Sequence, residues 1–332
     1  MGGAAAKETE EGRGMNQVRD NGAAAAIMPS ARDSFWRRLL RGVCRTQERG
    51  DWKEFAGDDW AQGIMQVDVT DQFHAKQGRS SGRLILKIEG KRLGVFLKRH
   101  YRLPWWRGWL ATLWPGKGWS PAMQEWRNLH WAQGQGLPVP AKVAVAEYIG
   151  PWGKLQSFLA IEELAGMLPL HEAIPQAARL LDPHTFRRWK KNLVAELARI
   201  ARTLHDRCYF HKDLYLCHFF IPQANLDRLV DFRGRLYLID LHRLAHHPWT
   251  RLRWQVKDLA QLLYSSELDG VEVRDRLRFW RLYLGPGRRA CWLERLIRFK
   301  WRQYRGHNQK RNPRREQGES LACVSGSNGN KT

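Results

Sequence analysis

The chain has 332 residues, 43% of them hydrophobic, so it can bury the core of a two-lobed domain and is not a small scaffold that needs disulfides. Its formal net charge of +23 indicates an anionic partner: nucleic acid, a phospholipid surface or a phosphorylated glycolipid. The five cysteines are odd in number and irregularly spaced, which favours free thiols in a reducing compartment.

The two ends of the chain have the composition of disordered tails. Residues 1–33 are rich in Gly, Ala and charge without periodicity, and the basic segment 305–332 ends in SGSNGNKT. The start lacks the pattern of a secretory signal, and no apolar run is long enough to span a bilayer. We therefore expect a protein on the cytoplasmic side whose membrane contact is peripheral.

The stretch GRLILKIEGKRLGVFLKRH predicts a hairpin of two strands around Glu89 and Gly90. With a period of two, Lys98 shares one face of the second strand with Phe96, and the other face is apolar. Lys98 is thus predicted near the end of a strand.

The segment LPWWRGWLATLWPGKGWS, residues 103–120, combines tryptophan with Arg and Lys. This composition is typical of a surface at the lipid headgroup layer. A tryptophan-rich insertion packed against the first lobe is the alternative.

A helix is predicted over residues 121–133, because Ser120 and Pro121 form a start signal and glycines follow Gln133. Its apolar stripe at helical spacing contains one acid, Glu125. A carboxylate in such a stripe needs a partner.

The second half of the chain is predicted to be mainly helical. After a strand-like SFLAIEEL, a long helix opens at Asp182-Pro183, and RLRWQVKDLAQLLYSS, VEVRDRLRFWRLYLG and ACWLERLIRFKWRQ each place apolar residues three or four apart. We find no internal repeat.

Two further acids follow the long helix: Asp213 in HKDLYLCHFFI and Asp240 at the end of RLYLID. Together with Lys98 and Glu125 they stand in the order found in protein kinases. Phosphoryl transfer needs a cation on the nucleotide phosphates, a carboxylate that holds it, a base for the attacking hydroxyl and a metal-binding carboxylate. A zinc site in the segment 208–218 is disfavoured, because its Cys and His spacing matches no common zinc module.

The strings HKDLYLCHFFI and LYLIDLHRL resemble the signature of the lipopolysaccharide core kinases, which phosphorylate heptose or 3-deoxy-octulosonate (Kdo), over roughly residues 70–265. The resemblance implies an α+β, protein-kinase-like fold with ATP and Mg²⁺ between two lobes. The strand-rich N-lobe would span 34–163, and the helical C-lobe would span 164–304, with a catalytic loop at 211–218 and a metal-binding strand end at 236–242.

The same resemblance assigns roles to single residues. Lys98 would contact the nucleotide phosphates and pair with Glu125, Asp213 would deprotonate the sugar hydroxyl, and Asp240 would hold Mg²⁺. The backbone around Glu162, Glu163 and Leu164 would form the hinge that binds adenine.

Four positions depart from or extend the protein-kinase pattern. His218 stands where protein kinases have Asn and could ligate the metal. Gly78 and Gly82 are the candidates for a phosphate-covering loop, since no G-x-G-x-x-G precedes the hairpin. Asp258 would brace the catalytic loop from a buried helix.

The sequence therefore predicts an ATP-dependent kinase that phosphorylates a heptose or Kdo hydroxyl of the lipopolysaccharide inner core. We expect a lipid A-core acceptor and an anionic membrane surface as partners, no specific nucleic acid and no obligate protein partner. The alternatives are an aminoglycoside- or choline-kinase-like enzyme of the same fold, and a catalytically inactive basic scaffold that binds membrane or RNA.

Overall fold

The computed structural model describes residues 34–69, 78–287 and 290–311, without the side chains of 308–311. Within these residues a five-stranded antiparallel sheet dominates the first part of the chain and helices dominate the second. The predicted α+β arrangement, strand-rich before helical, is therefore confirmed. No helix in the described ranges is both long and apolar enough to cross a bilayer.

The first lobe is built on the sheet, whose strand order is β1-β4-β5-β3-β2. Its elements are α1 (Phe35–Leu40), β1 (Val43–Glu48), α2 (Trp52–Ala56), α3 (Trp60–Gly63), β2 (Arg79–Ile88), β3 (Lys91–His100), α4 (Trp105–Leu113), α5 (Pro121–Gly134), β4 (Lys142–Ile149) and β5 (Leu155–Glu162). Trp52, Trp60 and Phe158 anchor the core on one face of this sheet.

The hairpin of β2 and β3 forms as predicted, with Glu89 and Gly90 at positive φ in the turn. Both turn residues adopt the left-handed conformation that tight two-residue hairpins require. Leu93, Val95 and Leu97 are buried in the core of the first lobe, which leaves Lys98 on the opposite face of β3.

Helix α5 begins where the sequence predicts, because the Ser120 hydroxyl accepts a hydrogen bond from the Met123 N–H and Pro121 occupies the first turn. Its buried residues, including Ala122 and Leu129, pack in the same hydrophobic cluster as the C-lobe residues. α5 therefore bridges the two lobes.

The second lobe is mainly helical, with short strands close to the site. Its elements are β6 (Met167–Pro169), α6 (Leu170–Leu180), α7 (Pro183–Asp206), β7 (Tyr209–Phe210), β8 (Phe219–Pro222), β9 (Tyr237–Leu238), β10 (Ala245–His246), α8 (Arg251–Ser265), α9 (Val273–Leu284) and α10 (Cys291–Arg311). The predicted long helix is α7, which Asp182 caps by accepting hydrogen bonds from the N–H groups of His184 and Thr185.

The predicted C-terminal tail is wrong at its start, because α10 continues to Arg311 although the tail was expected from residue 305. Trp301 and Tyr304, just before the predicted start of the tail, pack against the C-lobe core. This packing holds the helix in place at the point where the tail was expected to begin. The predicted tails over 1–33 and 312–332 lie outside the described residues. β5 ends at Glu162 and β6 begins at Met167, so the predicted boundary at 163 falls between them.

Candidate active site

The cleft-facing side of β3 places Lys98 against Glu125 of α5. Lys98 Nζ lies 2.7 Å from Glu125 Oε1, and both side chains are largely buried, at 18% and 4% exposure. A buried charge without a counter-charge is strongly destabilising, so each group depends on the other. The partner that the Glu125 carboxylate needs is thus the ammonium of Lys98.

Asp240 joins this pair from the other lobe. It follows β9 in the left-handed conformation, with φ 62° and ψ 49°, and its Oδ1 lies 3.3 Å from Lys98 Nζ. Non-glycine residues rarely adopt this conformation, and those that do are concentrated at functional sites. His242 Nδ1 lies 2.6 Å from the same oxygen.

The charges of this cluster support one another. Burial acts to lower the pKa of Lys98, but the carboxylates of Glu125 and Asp240 outweigh it and raise that pKa above its ordinary value. Burial likewise acts to raise the pKa of Asp240, but the His242 hydrogen bond and the Lys98 charge hold it well below its usual range. Lys98 and Asp240 are therefore both charged at neutral pH.

The predicted catalytic loop is held from below by Asp258 of α8. This carboxylate is fully buried and accepts hydrogen bonds from the backbone N–H groups of His211 and Lys212, each at 2.8 Å. His211 Nε2 lies 3.0 Å from the carbonyl oxygen of Ile239, so the ring donates there. The expectation that Asp258 braces this loop is confirmed.

Asp213 projects from the braced loop and contacts two cations that the sequence analysis did not single out. Arg243 Nη1 lies 2.5 Å from Asp213 Oδ2, and Lys257 Nζ lies 3.8 Å from Asp213 Oδ1. Gln261 Nε2 lies 3.4 Å from the same Oδ1. These contacts hold the Asp213 carboxylate in one orientation.

His218 connects the loop to Asp240. Its Nδ1 lies 2.6 Å from the backbone carbonyl oxygen of Asp213, and its Nε2 lies 3.9 Å from Asp240 Oδ2. A carbonyl oxygen only accepts, so Nδ1 carries a hydrogen, and Nε2 is the ring atom that faces Asp240. An imidazole nitrogen in this position can ligate a metal beside Asp240.

The donor set suits a metal ion that is shared with a nucleotide. The described residues contain no cluster of three or more His, Cys, Asp or Glu side chains arranged for a metal. Mg²⁺ is commonly bound by one or two carboxylates together with substrate phosphates, so Asp240 with Lys98 beside it fits that need.

The predicted hinge lies at the end of β5 and is partly occupied. The Glu163 N–H donates to the Gly94 carbonyl oxygen at 2.9 Å, and the Glu163 side chain pairs with Arg83. The Glu163 N–H is therefore not available to adenine. The Glu163 carbonyl and the Leu164 backbone remain the predicted contacts.

The expected phosphate-covering loop is corrected in part. Gly82 is not in a loop: it lies inside β2, opposite Leu97. Gly78 precedes β2 at φ 84°, and its carbonyl oxygen accepts a hydrogen bond from the Tyr101 N–H. Residues 70–77, which lead into it, lie outside the described residues, so a role of either glycine at the phosphates stays a prediction.

Asn128 is a further contact that sequence reasoning missed. Its Nδ2 donates to the carbonyl oxygens of Leu241 and Leu244, each at 2.8 Å, and so ties α5 to the segment after Asp240. Its position one turn after Glu125 was the available signal, because residues three apart lie on one side of a helix.

Comparisons with known proteins agree with this geometry. Residues 105–283 match the lipopolysaccharide kinase (Kdo/WaaP) family. The lipopolysaccharide core heptose(I) kinase WaaP of Pseudomonas aeruginosa is 34% identical over 223 residues, which are 65% of this chain and 80% of the relative. The protein of the same description from Escherichia coli K12 is 30% identical over 175 residues, 52% of this chain and 64% of the relative.

A solved structure described as WaaP in complex with acyl carrier protein aligns with 76% of this chain and 98% of its own, at a TM-score of 0.56 and 27% identity. The predicted protein-kinase-like fold is therefore confirmed.

Proposed function

The chain belongs to the lipopolysaccharide kinase (Kdo/WaaP) family, and from that premise we propose that it phosphorylates a heptose of the lipopolysaccharide inner core. Membership makes it an ATP-using phosphotransferase that acts on a sugar hydroxyl, as the sequence predicted. Heptose is preferred to Kdo because two named relatives are core heptose(I) kinases. The family assignment speaks against the aminoglycoside-kinase and inactive-scaffold alternatives.

The observation that carries the proposal is the contact of Lys98 with both Glu125 and Asp240, at 2.7 and 3.3 Å, beside the Asp213 loop. Bound ATP with Mg²⁺ supplies the γ-phosphoryl group and the positive charge that neutralises it. Lys98 would hold the nucleotide phosphates, while Asp240 and His218 would hold the metal ion.

Asp213 would accept the proton of the attacking sugar hydroxyl. Its Oδ1 has only longer contacts, at 3.4 Å from Gln261 and 3.8 Å from Lys257, whereas Oδ2 is held by Arg243 at 2.5 Å. Oδ1 is therefore the oxygen that can meet the hydroxyl within hydrogen-bond distance. Arg243, whose side chain is 47% exposed, can turn toward an anionic acceptor.

The test is phosphate transfer from radiolabelled ATP to lipopolysaccharide that lacks the core phosphate. Asp213→Asn should reduce the rate by at least about 100-fold, because the proton acceptor is lost. Asp227→Asn, which changes an exposed acid in the same lobe, should leave the rate unchanged. An Asp213→Asn protein that is folded and active would refute this role. Mass spectrometry of lipopolysaccharide from cells with and without the gene should locate the missing phosphate.

The acceptor is built on a lipid, so we propose that the chain works as a peripheral protein on the cytoplasmic face of the bacterial inner membrane. No membrane-crossing helix is found in the described residues, which is compatible with this position. Fractionation should recover the chain with inner membranes at low salt, and recovery only in the soluble fraction would contradict the proposal.

The solved relative with acyl carrier protein suggests a protein partner that the sequence did not predict. A cavity of about 330 Å³ between α6, α7, α8, α9 and α10 is lined mainly by Leu, Ile, Phe and Trp, with Arg276, Arg298 and Arg302 also in its wall. An apolar cavity of this kind suits an acyl chain. Acylated carrier should bind more tightly than unacylated carrier in calorimetry, and equal affinities would exclude the cavity as the site.

A further inference from the structure

Large exposed tryptophans lie on three segments that contact one another in the first lobe. The segments are α1, α4 with its following turn, and the turn 150–154 between β4 and β5; we call their outer surface the tryptophan face. Its exposed rings are Trp36 65%, Trp105 74%, Trp106 45%, Trp109 37%, Trp114 61% and Trp152 65%. Apolar exposure of this extent on adjoining segments marks an interaction site.

Close contacts hold the three segments together, and the ring of Trp109 itself packs against Gly153. A Cβ on Gly108 would lie 1.6 Å from the Gly153 carbonyl oxygen, and a Cβ on Gly150 would lie 1.9 Å from the Arg38 carbonyl oxygen. The Trp152 N–H donates to the Leu39 carbonyl oxygen at 2.9 Å. Glycine is therefore required where the segments meet, and the face is fixed by the fold.

The inner side of α4 does the packing. Ala111 and Thr112 are buried there, and Arg38 Nε donates to the Thr112 carbonyl oxygen at 2.8 Å. The segment 103–120 was expected either to lie at lipid headgroups or to pack against the first lobe. The small buried residues of α4 follow the second alternative. The exposed rings of the same helix require another explanation.

The tryptophan face is basic and contains no acid. The three segments with their flanking residues, 34–41, 101–120 and 150–156, include no Asp or Glu, whereas Arg41, Arg102, Lys117 and Lys154 are exposed among them. Amphipathic aromatic rings beside cations are the composition of surfaces that lie at lipid headgroups, and the charge complements an anionic bilayer.

We propose that the tryptophan face docks on the surface of an anionic phospholipid bilayer, with the indole rings at the level of the headgroups. Only the purpose of this docking rests on the proposed function: it would bring the cleft to an acceptor that is carried on a lipid. α4 begins shortly after β3 ends, and β3 carries Lys98. Docking would therefore set the phosphate-binding end of the cleft close to the membrane.

The charges near His100 support this placement of α4 relative to the cleft. Burial, followed by the charges of Arg79, Lys98, His242 and Arg107, lowers the pKa of His100 to about 4. The charge of Arg107 in α4 thus acts on His100, and so do the charges of Lys98 and His242 in the cleft.

The test measures co-sedimentation of the full chain with vesicles of phosphatidylcholine, with or without phosphatidylglycerol. Wild type should bind the anionic vesicles more tightly. Combining Trp105→Ala and Trp114→Ala should lower the partition coefficient by about tenfold or more, because two rings lose their lipid contacts. Combining Arg102→Gln and Lys117→Gln should weaken binding and reduce its dependence on salt.

A matched control changes Trp249 and Trp292 of the second lobe to Ala, which are 96% and 58% exposed. This pair should bind vesicles like wild type. The proposal is overturned if the Trp105/Trp114 variant also binds like wild type, or if the control pair loses as much affinity. It is equally overturned if wild type ignores anionic vesicles, and the face would then belong to a protein partner.

Vesicle binding requires neither ATP nor an acceptor, so its failure leaves the proposed kinase activity standing. Conversely, Asp213→Asn should bind vesicles like wild type even when it transfers no phosphate.

Discussion

Removing the Lys98 ammonium should cost both stability and activity, and a second substitution should separate the two. Lys98→Met leaves the Glu125 carboxylate buried without a counter-charge, since Glu125 is only 3% exposed. Breaking a buried ion pair costs about 3–5 kcal/mol, and the 18% exposure of Lys98 favours the lower end, about 3 kcal/mol.

The double variant Lys98→Met, Glu125→Leu replaces the pair by apolar groups, which is often neutral or stabilising in buried sites. Urea unfolding should therefore show most of the lost free energy recovered. Phosphate transfer should stay at least about 100-fold below wild type in both variants, because the ammonium group that holds the nucleotide phosphates is gone. The Lys91→Met variant removes an exposed lysine of the same strand and should change neither quantity.

Two results would refute this reasoning. If Lys98→Met is as stable as wild type, the pair is not a buried one in solution. If the double variant transfers phosphate at the wild-type rate, Lys98 has no role at the nucleotide.

Three further predictions follow from single contacts. Burial lowers the pKa of His100 in the folded protein to about 4, from 6.5. On acidification the unfolded chain therefore takes up a proton before the folded protein does. The free energy of unfolding should fall by up to ~1.4 kcal/mol per pH unit between pH 6.5 and 4. Urea unfolding should show a weaker dependence in His100→Gln. Asp258→Ala leaves a buried N–H group, of His211, and a partly buried one, of Lys212, without an acceptor and should cost about 3 kcal/mol, with a lower rate of phosphate transfer. Gly108→Ala should lower the unfolding midpoint, because its Cβ meets the Gly153 carbonyl oxygen, whereas Gly116→Ala has open space and should not.

Each of these has a contradicting outcome. His100→Gln with an unchanged pH dependence would mean that another group titrates. A stable, fully active Asp258→Ala would show that the loop needs no brace. Equal midpoints for Gly108→Ala and wild type would show that α4 and the turn 150–154 move apart easily.

Much of the site could be predicted because its parts are locally encoded. The period-two pattern sets the face of Lys98, and the Ser120-Pro121 start sets the phase of α5, so Glu125 falls on its buried side. The chain order of these residues with Asp213 and Asp240 then suffices to suggest that they meet.

The missing parts depend on contacts between distant segments. Arg243 on Asp213 requires the exact path of the chain after Asp240, and the engaged N–H of Glu163 requires the register of β3 beside β5. The tryptophan face requires three segments far apart in sequence to meet. No periodicity within one segment contains that information.

The position of α5 has a regulatory consequence. Its apolar side belongs to the cluster formed with the C-lobe, and Asn128 ties it to the carbonyl oxygens of Leu241 and Leu244. Swinging a helix anchored in this way outward would break the core that it shares with the C-lobe. We therefore expect that the chain needs no activating modification to keep Glu125 at Lys98.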